Sequence, residues 1–257
     1  MEFNAEMLER YNRNLLLEGF GKEAQEKLLK SKVLVIGAGG LGSPVAYYLV
    51  AAGVGEIGIL DSDVVDLSNL QRQILHTSKD IGKLKVQSAK EKLNALNPDI
   101  KINIYNTRLN AKNALEIIKD YDLVIESTDV FASKFLVNDA CVLANKTLIR
   151  ASALHYCGQL MSIKPKESAC YACLFDNVPQ GEVPTGASVG ILGAVAGLFG
   201  TLEANEAIKI LSGVGKPLFD EFLTCDVREM NFRKIKIKRN PNCRVCGENG
   251  IKELSDY

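Results

Sequence analysis

Gly37, Gly39 and Gly42 stand in the order G-x-G-x-x-G, with Gly40 inside the run, between an apolar stretch, KVLVIG (32–37), and a helix-like segment. The first glycine permits a tight turn. The second lets a phosphate approach the backbone, and the third lets helix and strand pack closely. The helix N-terminus then offers unpaired N–H groups to an anion. Asp61 follows about twenty residues on, at the end of the second apolar run, the spacing expected of an acid that binds a ribose. These residues predict an adenosine nucleotide without deciding between NAD and ATP. A glycine turn with no ligand is the plain alternative.

The next polar stretch, DSDVVDLSNLQRQILHTSKDIGKLK, gathers Asp63, Asn69, Gln71, Arg72 and Lys85 over a short span. An arginine and a lysine beside a phosphate turn can neutralise a triphosphate, and an asparagine can orient it. The fourth strand pattern ends in ESTD. This puts Asp129 at the carboxyl edge of the expected sheet, where it suits Mg²⁺ shared with nucleotide phosphates. Cys170-x-x-Cys173 and Cys243-x-x-Cys246 form two knuckles of the kind that make a closed tetrahedral Zn²⁺ site. Four reduced thiols or two disulfides are the alternatives. His76 and His155, the chain's two histidines, have no metal or triad spacing around them and read as structural or one layer removed from substrate.

The elements needed to position these groups alternate along the chain. Strands are predicted at 32–37, 56–63, 100–106, 122–128 and 146–153, with helices between them ending at Gly53, before Pro98, and around 110–121 and 130–145. This predicts an α/β fold: a Rossmann-like, doubly wound, mostly parallel sheet. A helical N-terminal segment (1–31, helical over 4–30) would dock through Leu15, Leu16 and Phe20. The nucleotide-binding core would span 32–153. An antiparallel extension (154–257) would carry a strand at GQLMSIKP, a Pro- and Gly-rich crossover loop (174–187), a long small-residue helix over 188–211, and strands at EFLTCDV and MNFRKIKIK. The whole reads as a single domain with a Cys₄ zinc site.

Lys plus Arg and Asp plus Glu are both 31, so the formal charge is zero. No basic footprint for nucleic acid is present. No apolar stretch is long enough to span a bilayer, and the N-terminal MEFNAEMLERYNR is not a secretory signal. The chain reads as cytoplasmic.

With these residues assembled, the sequence resembles the ThiF/MoeB/HesA group of ubiquitin-activating-enzyme-like adenylyltransferases. The matching segments are RYNR, GAGGLGS, AAGVG, LDSDVVDLSNLQRQILH, IGKLKVQSAKEKLNALNP, STD, CYAC, LEANEAIKIL and CRVCG, nearly the whole chain. The resemblance implies an enzyme that attacks the α-phosphate of MgATP with the C-terminal Gly-Gly carboxylate of a small ubiquitin-like sulfur-carrier protein, releasing pyrophosphate. It implies that Asp61 binds the ribose and that Asn69, Arg72 and Lys85 hold the phosphates. Asp129 would bind Mg²⁺, and Arg13, in RYNR, would reach the triphosphate from the partner subunit of a homodimer. It implies zinc at the four cysteines. Molybdopterin or thiamine synthesis, or sulfur insertion into amino acids or tRNA, are the pathways such proteins serve.

Two departures stand out. The loop cysteine of many relatives is replaced here by Gly186, and no cysteine lies between 174 and 224. The sulfur donor is therefore expected to be external. Val130 stands where relatives often carry asparagine. Cys141, Cys157 and Cys225 are expected to be core residues, and the basic run Arg233, Lys234, Lys236, Lys238 and Arg239 the solvated face of an edge strand. The competing readings are an NAD(P)-dependent oxidoreductase and an inactive relative that holds a carrier without activating it.

Overall fold

The computed structural model describes residues 3–179, 181 and 183–257. Residues 180 and 182, within the expected crossover loop, lie outside the described residues.

The chain begins with three short helices, α1 (Ala5–Arg10), α2 (Asn12–Leu15) and α3 (Gly21–Lys30). It then alternates β1 (Lys32–Ile36), α4 (Gly42–Ala52), β2 (Glu56–Leu60), α5 (Lys85–Leu96), β3 (Lys101–Tyr105), α6 (Ala114–Ile118), β4 (Leu123–Glu126), α7 (Phe131–Ala144) and β5 (Thr147–Leu154). The remainder is β6 (Cys157–Ile163), α8 (Tyr171–Leu174), α9 (Gly186–Val189), α10 (Gly193–Ser212), β7 (Glu221–Asp226) and β8 (Asn231–Lys236).

Among the described residues eight strands form one sheet in the order β3-β2-β1-β4-β5-β6-β7-β8. The first five run parallel, and β6, β7 and β8 add on antiparallel. Because side chains alternate along a strand, the apolar runs feed two cores. Val33, Val35, Ile57, Ile59, Leu123 and Ile125 face α3, α4, α5 and α10. Leu34, Ile36, Leu60, Val124 and Leu148 face α6, α7 and the cysteine knuckles. After β3 the chain returns to the other side of β1, so the strand order reverses between β1 and β4. A crevice opens at the carboxyl ends of such strands.

Two expected helices are corrected. The segment 4–30 is not one helix. Gly19 and Gly21 take positive φ of 77° and 59°, breaking it before α3. Leu16 is 72% exposed and does not dock. Phe20 does pack partly on the core cluster that contains Leu28. The long helix begins at Gly193, not 188. Gly190 at φ 89° ends the single turn α9, and Ile191 pairs with His155 as a β-bridge before α10 starts. Cys157 is also corrected. It is exposed, whereas Cys141 and Cys225 are buried as expected. Strand β8 is exposed along its whole length and forms one edge of the sheet, as its lysines suggest.

Candidate active site

The glycine turn follows β1 at the point of strand reversal. Gly37 has φ 100°, and a side chain there would stand 2.9 Å from the Ser127 carbonyl oxygen. At Gly42 a Cβ would fall 1.8 Å from the Gly37 oxygen. These two positions need glycine for the turn itself. Gly39 differs: its nearest neighbour would be Gln73 Nε2 at 3.8 Å. The chain leaves that face of the turn open to a ligand.

Asp61 closes the turn from β2. Its Oδ2 accepts from Ala38 N at 2.8 Å and its Oδ1 from Asp63 N at 2.9 Å. Asp63 in turn pairs with Lys85 at 3.0 Å, and Lys85 is buried at the start of α5. Beside them Asp66 caps a short 3-10 turn, in which Asn69 Oδ1 accepts from Asp66 N at 3.2 Å. Arg72 follows that turn, its N–H bonded to Asn69 O; its guanidinium donates to Ser68 O at 3.0 Å, and its Cγ would lie 3.3 Å from a Cβ on Gly40. Ser62, Asp63, Val64, Asp66, Asn69 and Lys85 line a cleft of about 450 Å³. A larger groove of about 590 Å³ lies at the open β3 edge, away from the turn, among Lys32, Lys101 and Glu56.

The structure thus joins Gly37, Gly39, Gly40, Gly42, Asp61, Asp63, Asn69, Arg72 and Lys85 through direct contacts. Gln71 is exposed on the shoulder, where its carbonyl would meet a Cβ on Gly193 at 2.3 Å, so α10 docks its first residue there. Asp129 is exposed, two residues beyond Ser127, which itself packs on Gly37. Arg13 does not join its own chain's cluster. It is exposed on α2, next to Tyr11, which packs against Gly53 at the far end of α4. An eleven-residue helix separates that end from the turn by about 16 Å.

Three residues around the turn were not singled out from sequence. Gln73 is 95% buried beside Gly39. Glu126 and Lys134 form a buried ion pair at 3.3 Å beneath the Asp129 turn. Burial pushes the Lys134 ammonium down, against the pull of Glu126, and pushes the neighbouring Glu203 carboxyl well up. A charge inside each of two apolar runs, LVIE and FASKFLV, was the available signal. His76 is buried and supports the turn: Nε2 lies 3.0 Å from Ala38 O and Nδ1 2.9 Å from Ser88 Oγ. Burial lowers its pKa, so the ring is neutral.

The four cysteines of the two knuckles converge. The Cys170–Cys173, Cys170–Cys243 and Cys173–Cys246 sulfurs are 3.8, 3.6 and 3.5 Å apart, and all four fall within 4.8 Å of one another. A tetrahedron with Zn–S bonds of about 2.3 Å has edges of about 3.8 Å, so the spacing fits zinc. Backbone N–H groups of Asn240 and Val245 approach Cys173 and Cys243 at 3.4 Å each, the donors a thiolate requires. Hydrogen bonding to Cys173 and Cys246 drives the Cys170 thiol up, a crowding that a dication relieves. At Gly247 a Cβ would lie 2.4 Å from Cys243 O, which is why glycine follows the second knuckle.

An open phosphate turn, an acid on the second strand and two cations at the switch point of a doubly wound sheet define a nucleotide-binding α/β protein. Residues 11–245 match the ThiF family, and the chain belongs to that family. It is 44% identical over 264 residues to the sulfur carrier protein adenylyltransferase of Thermus thermophilus, covering 100% of this chain and 97% of that protein. It is 38% identical over 257 residues to the SAMP-activating enzyme E1 of Haloferax volcanii, covering 100% and 95%. It is also 44% identical to the adenylyltransferase and sulfurtransferase MOCS3-1 of Zea mays, and spans 54% of that longer protein. Among solved structures, E. coli MccB with ATP superposes at TM-score 0.81 with 27% identity, covering 93% of this chain and 74% of that one. No helix among the described residues is long and apolar enough to cross a membrane.

Proposed function

We infer that this chain is an ATP-dependent adenylyltransferase acting on the C-terminal carboxylate of a ubiquitin-like sulfur-carrier protein. The observation that carries this reading is the joining of the open Gly39 turn to Arg72 and Lys85. A triphosphate brings more negative charge to that point than the diphosphate of a redox dinucleotide, and Arg72 and Lys85 together match it. The near full-length likeness to the Thermus and Haloferax proteins supports it.

In this reading the ribose hydroxyls bind Asp61, exchanging for the backbone contacts it now makes. The triphosphate lies over Gly39 and the start of α4, with Asn69 orienting it. The carrier carboxylate attacks the α-phosphorus in line, the P–O bond to the β-phosphate breaks, and pyrophosphate leaves. Arg72 and Lys85 offset the charge that develops, and Lys85 exchanges Asp63 for phosphate. Positioning and charge neutralisation do the chemistry, and no protein nucleophile is required. Mg²⁺ would be held by Asp129 and would supply further charge neutralisation at the phosphates. Zinc would be held by Cys170, Cys173, Cys243 and Cys246, closed to substrate and structural.

Arg13 acts from the partner of a homodimer, since in its own chain it sits at the far end of α4. Exposed Leu16, Leu17, Tyr48 and Ile74 offer apolar surface for that partner. The adenylate passes to an external sulfur donor, because Gly186 occupies the usual loop-cysteine position. A reduced, cytoplasmic setting suits the thiolate site. ATP–pyrophosphate exchange with a panel of Gly-Gly-ending carriers tests the reading. Carrier-dependent exchange supports it. ATP and carrier binding without exchange points instead to a binding protein.

A further inference from the structure

Asp129 is exposed, yet the residue before it is held by a buried ionic cluster. Thr128 donates its N–H (2.9 Å) and its hydroxyl (2.5 Å) to Glu126 Oε1. Its carbonyl accepts from Lys134 Nζ at 2.5 Å. All three polar groups of Thr128 are thus taken by one ion pair. Lys134 Nζ also reaches Glu126 Oε2 at 3.3 Å and Ala151 O at 3.4 Å, tying β4, α7 and β5 together. Ser127 is fixed separately, through its hydroxyl to Glu203 on α10 at 3.0 Å. Lys134 and Glu126 are 2% and 0% exposed. Burying two charges costs more than their attraction returns unless every lone pair and proton finds a partner. Here those partners include the N–H, hydroxyl and carbonyl of Thr128, in the turn that presents Asp129, together with the Ala151 carbonyl and Arg150.

We propose that Lys134, with Glu126, is the positioning residue of the Asp129 turn: it sets the direction of the metal-facing carboxylate without touching the substrate. The inference rests on the reading of Asp129 as the Mg²⁺ ligand. Lys134→Met is expected to fold, because Arg150 lies 3.7 Å from Glu126 and still balances its charge. Freed from Lys134, the Thr128 carbonyl loses its donor and the turn samples other orientations.

The test is ATP binding by calorimetry at a series of Mg²⁺ concentrations, with AMP binding in EDTA alongside. The wild type is expected to gain ATP affinity with Mg²⁺. In Lys134→Met that gain shrinks about tenfold, with AMP affinity within about twofold of wild type. Lys134→Arg restores most of the gain. Thr128→Val, which keeps the ion pair and removes one tie, loses about two- to threefold and serves if Lys134→Met does not fold. A wild type whose ATP binding ignores Mg²⁺ overturns the Asp129 reading and the proposal with it. A Mg²⁺-responsive wild type with equally responsive Lys134→Met and Thr128→Val proteins overturns the positioning role alone. Loss of AMP and MgATP binding in equal measure does the same.

Discussion

His76 Nε2 lies 3.0 Å from the carbonyl oxygen of Ala38, the residue between the first two glycines of the phosphate turn. Ser88 holds the other ring nitrogen at 2.9 Å, and Lys92 holds Ser88 and pairs with Asp80. With Ser88 donating its hydroxyl proton to Nδ1, the ring donates from Nε2 and must stay neutral. Protonation would put a second N–H against Ser88 and a charge beside Lys85 and Lys92.

A pH dependence follows. The folded pKa of His76 lies below its ordinary value of 6.5, so the unfolded chain binds the proton first. Stability from this group is complete above about pH 6.5. It is lost as pH falls toward the folded pKa, by up to about 1.4 kcal/mol per unit. Asp80, held low by Lys92 and Thr77 against its burial, adds a loss only at more acid pH. Urea unfolding at pH 7.5, 6.5 and 5.5 should show the decline, and His76→Gln should flatten it. Equal slopes in the two proteins would remove His76 as the cause.

The glycines should separate by role. Gly42→Ala brings a methyl within 1.8 Å of the Gly37 oxygen and should cost about 3 kcal/mol or more in stability. Gly39→Ala meets nothing nearer than 3.8 Å. It should leave the unfolding midpoint unchanged and weaken ATP binding roughly 10- to 100-fold. If Gly39→Ala binds ATP normally, phosphate does not approach that residue.

Arg72→Ala and Lys85→Ala should each lower the exchange rate about 10²- to 10³-fold, the usual loss for one charge-stabilising donor. Asp63→Asn releases Lys85 from its partner at 3.0 Å and should cost far less. A large loss from Asp63→Asn would give Asp63 itself a direct role in holding the nucleotide.

Arg13→Ala and Arg72→Ala should both be inactive alone. If Arg13 serves the partner's site, mixing and re-forming the dimers places one intact site in each mixed dimer. About a quarter of wild-type activity then returns. No recovery from a mixture confirmed to exchange subunits would place Arg13 outside the partner's site.

Cys243→Ser should lose bound zinc, measured by mass spectrometry of the metal. It should also lower the unfolding temperature by roughly 10 °C, as a loss of about 4 kcal/mol would in a chain of this size. Full-length folded protein with no zinc and an unchanged midpoint would show that the sulfur cluster works without metal.

The turn, its acid and the cysteine knuckles were legible in the sequence because each depends on local spacing: a glycine order, a strand length, a C-x-x-C. The alternation of strands and helices was legible from two-sided apolar runs. The N-terminal helix was misjudged because its periodicity continues through Gly19 and Gly21, whose positive φ is a backbone property that hydrophobic pattern does not record. The start of α10 was misplaced for the same reason at Gly190. Leu16 carries a docking residue's chemistry yet stays exposed, since burial depends on what the tertiary fold brings opposite. Glu126, Lys134 and Glu203 come from three separate elements, β4, α7 and α10. Their pairing exists only after the sheet and both helix layers have assembled.

The reaction inferred for this chain moves AMP from ATP onto a carrier's C-terminus. The direct measurement is the intact mass of a Gly-Gly-ending carrier after incubation with the protein and MgATP, quenched in acid, with inorganic pyrophosphatase present. The expected product is a carrier heavier by one AMP, formed by the wild type and not by Arg72→Ala. A carrier of unchanged mass, drawn from a panel in which at least one member binds the protein tightly in the presence of ATP, would contradict it.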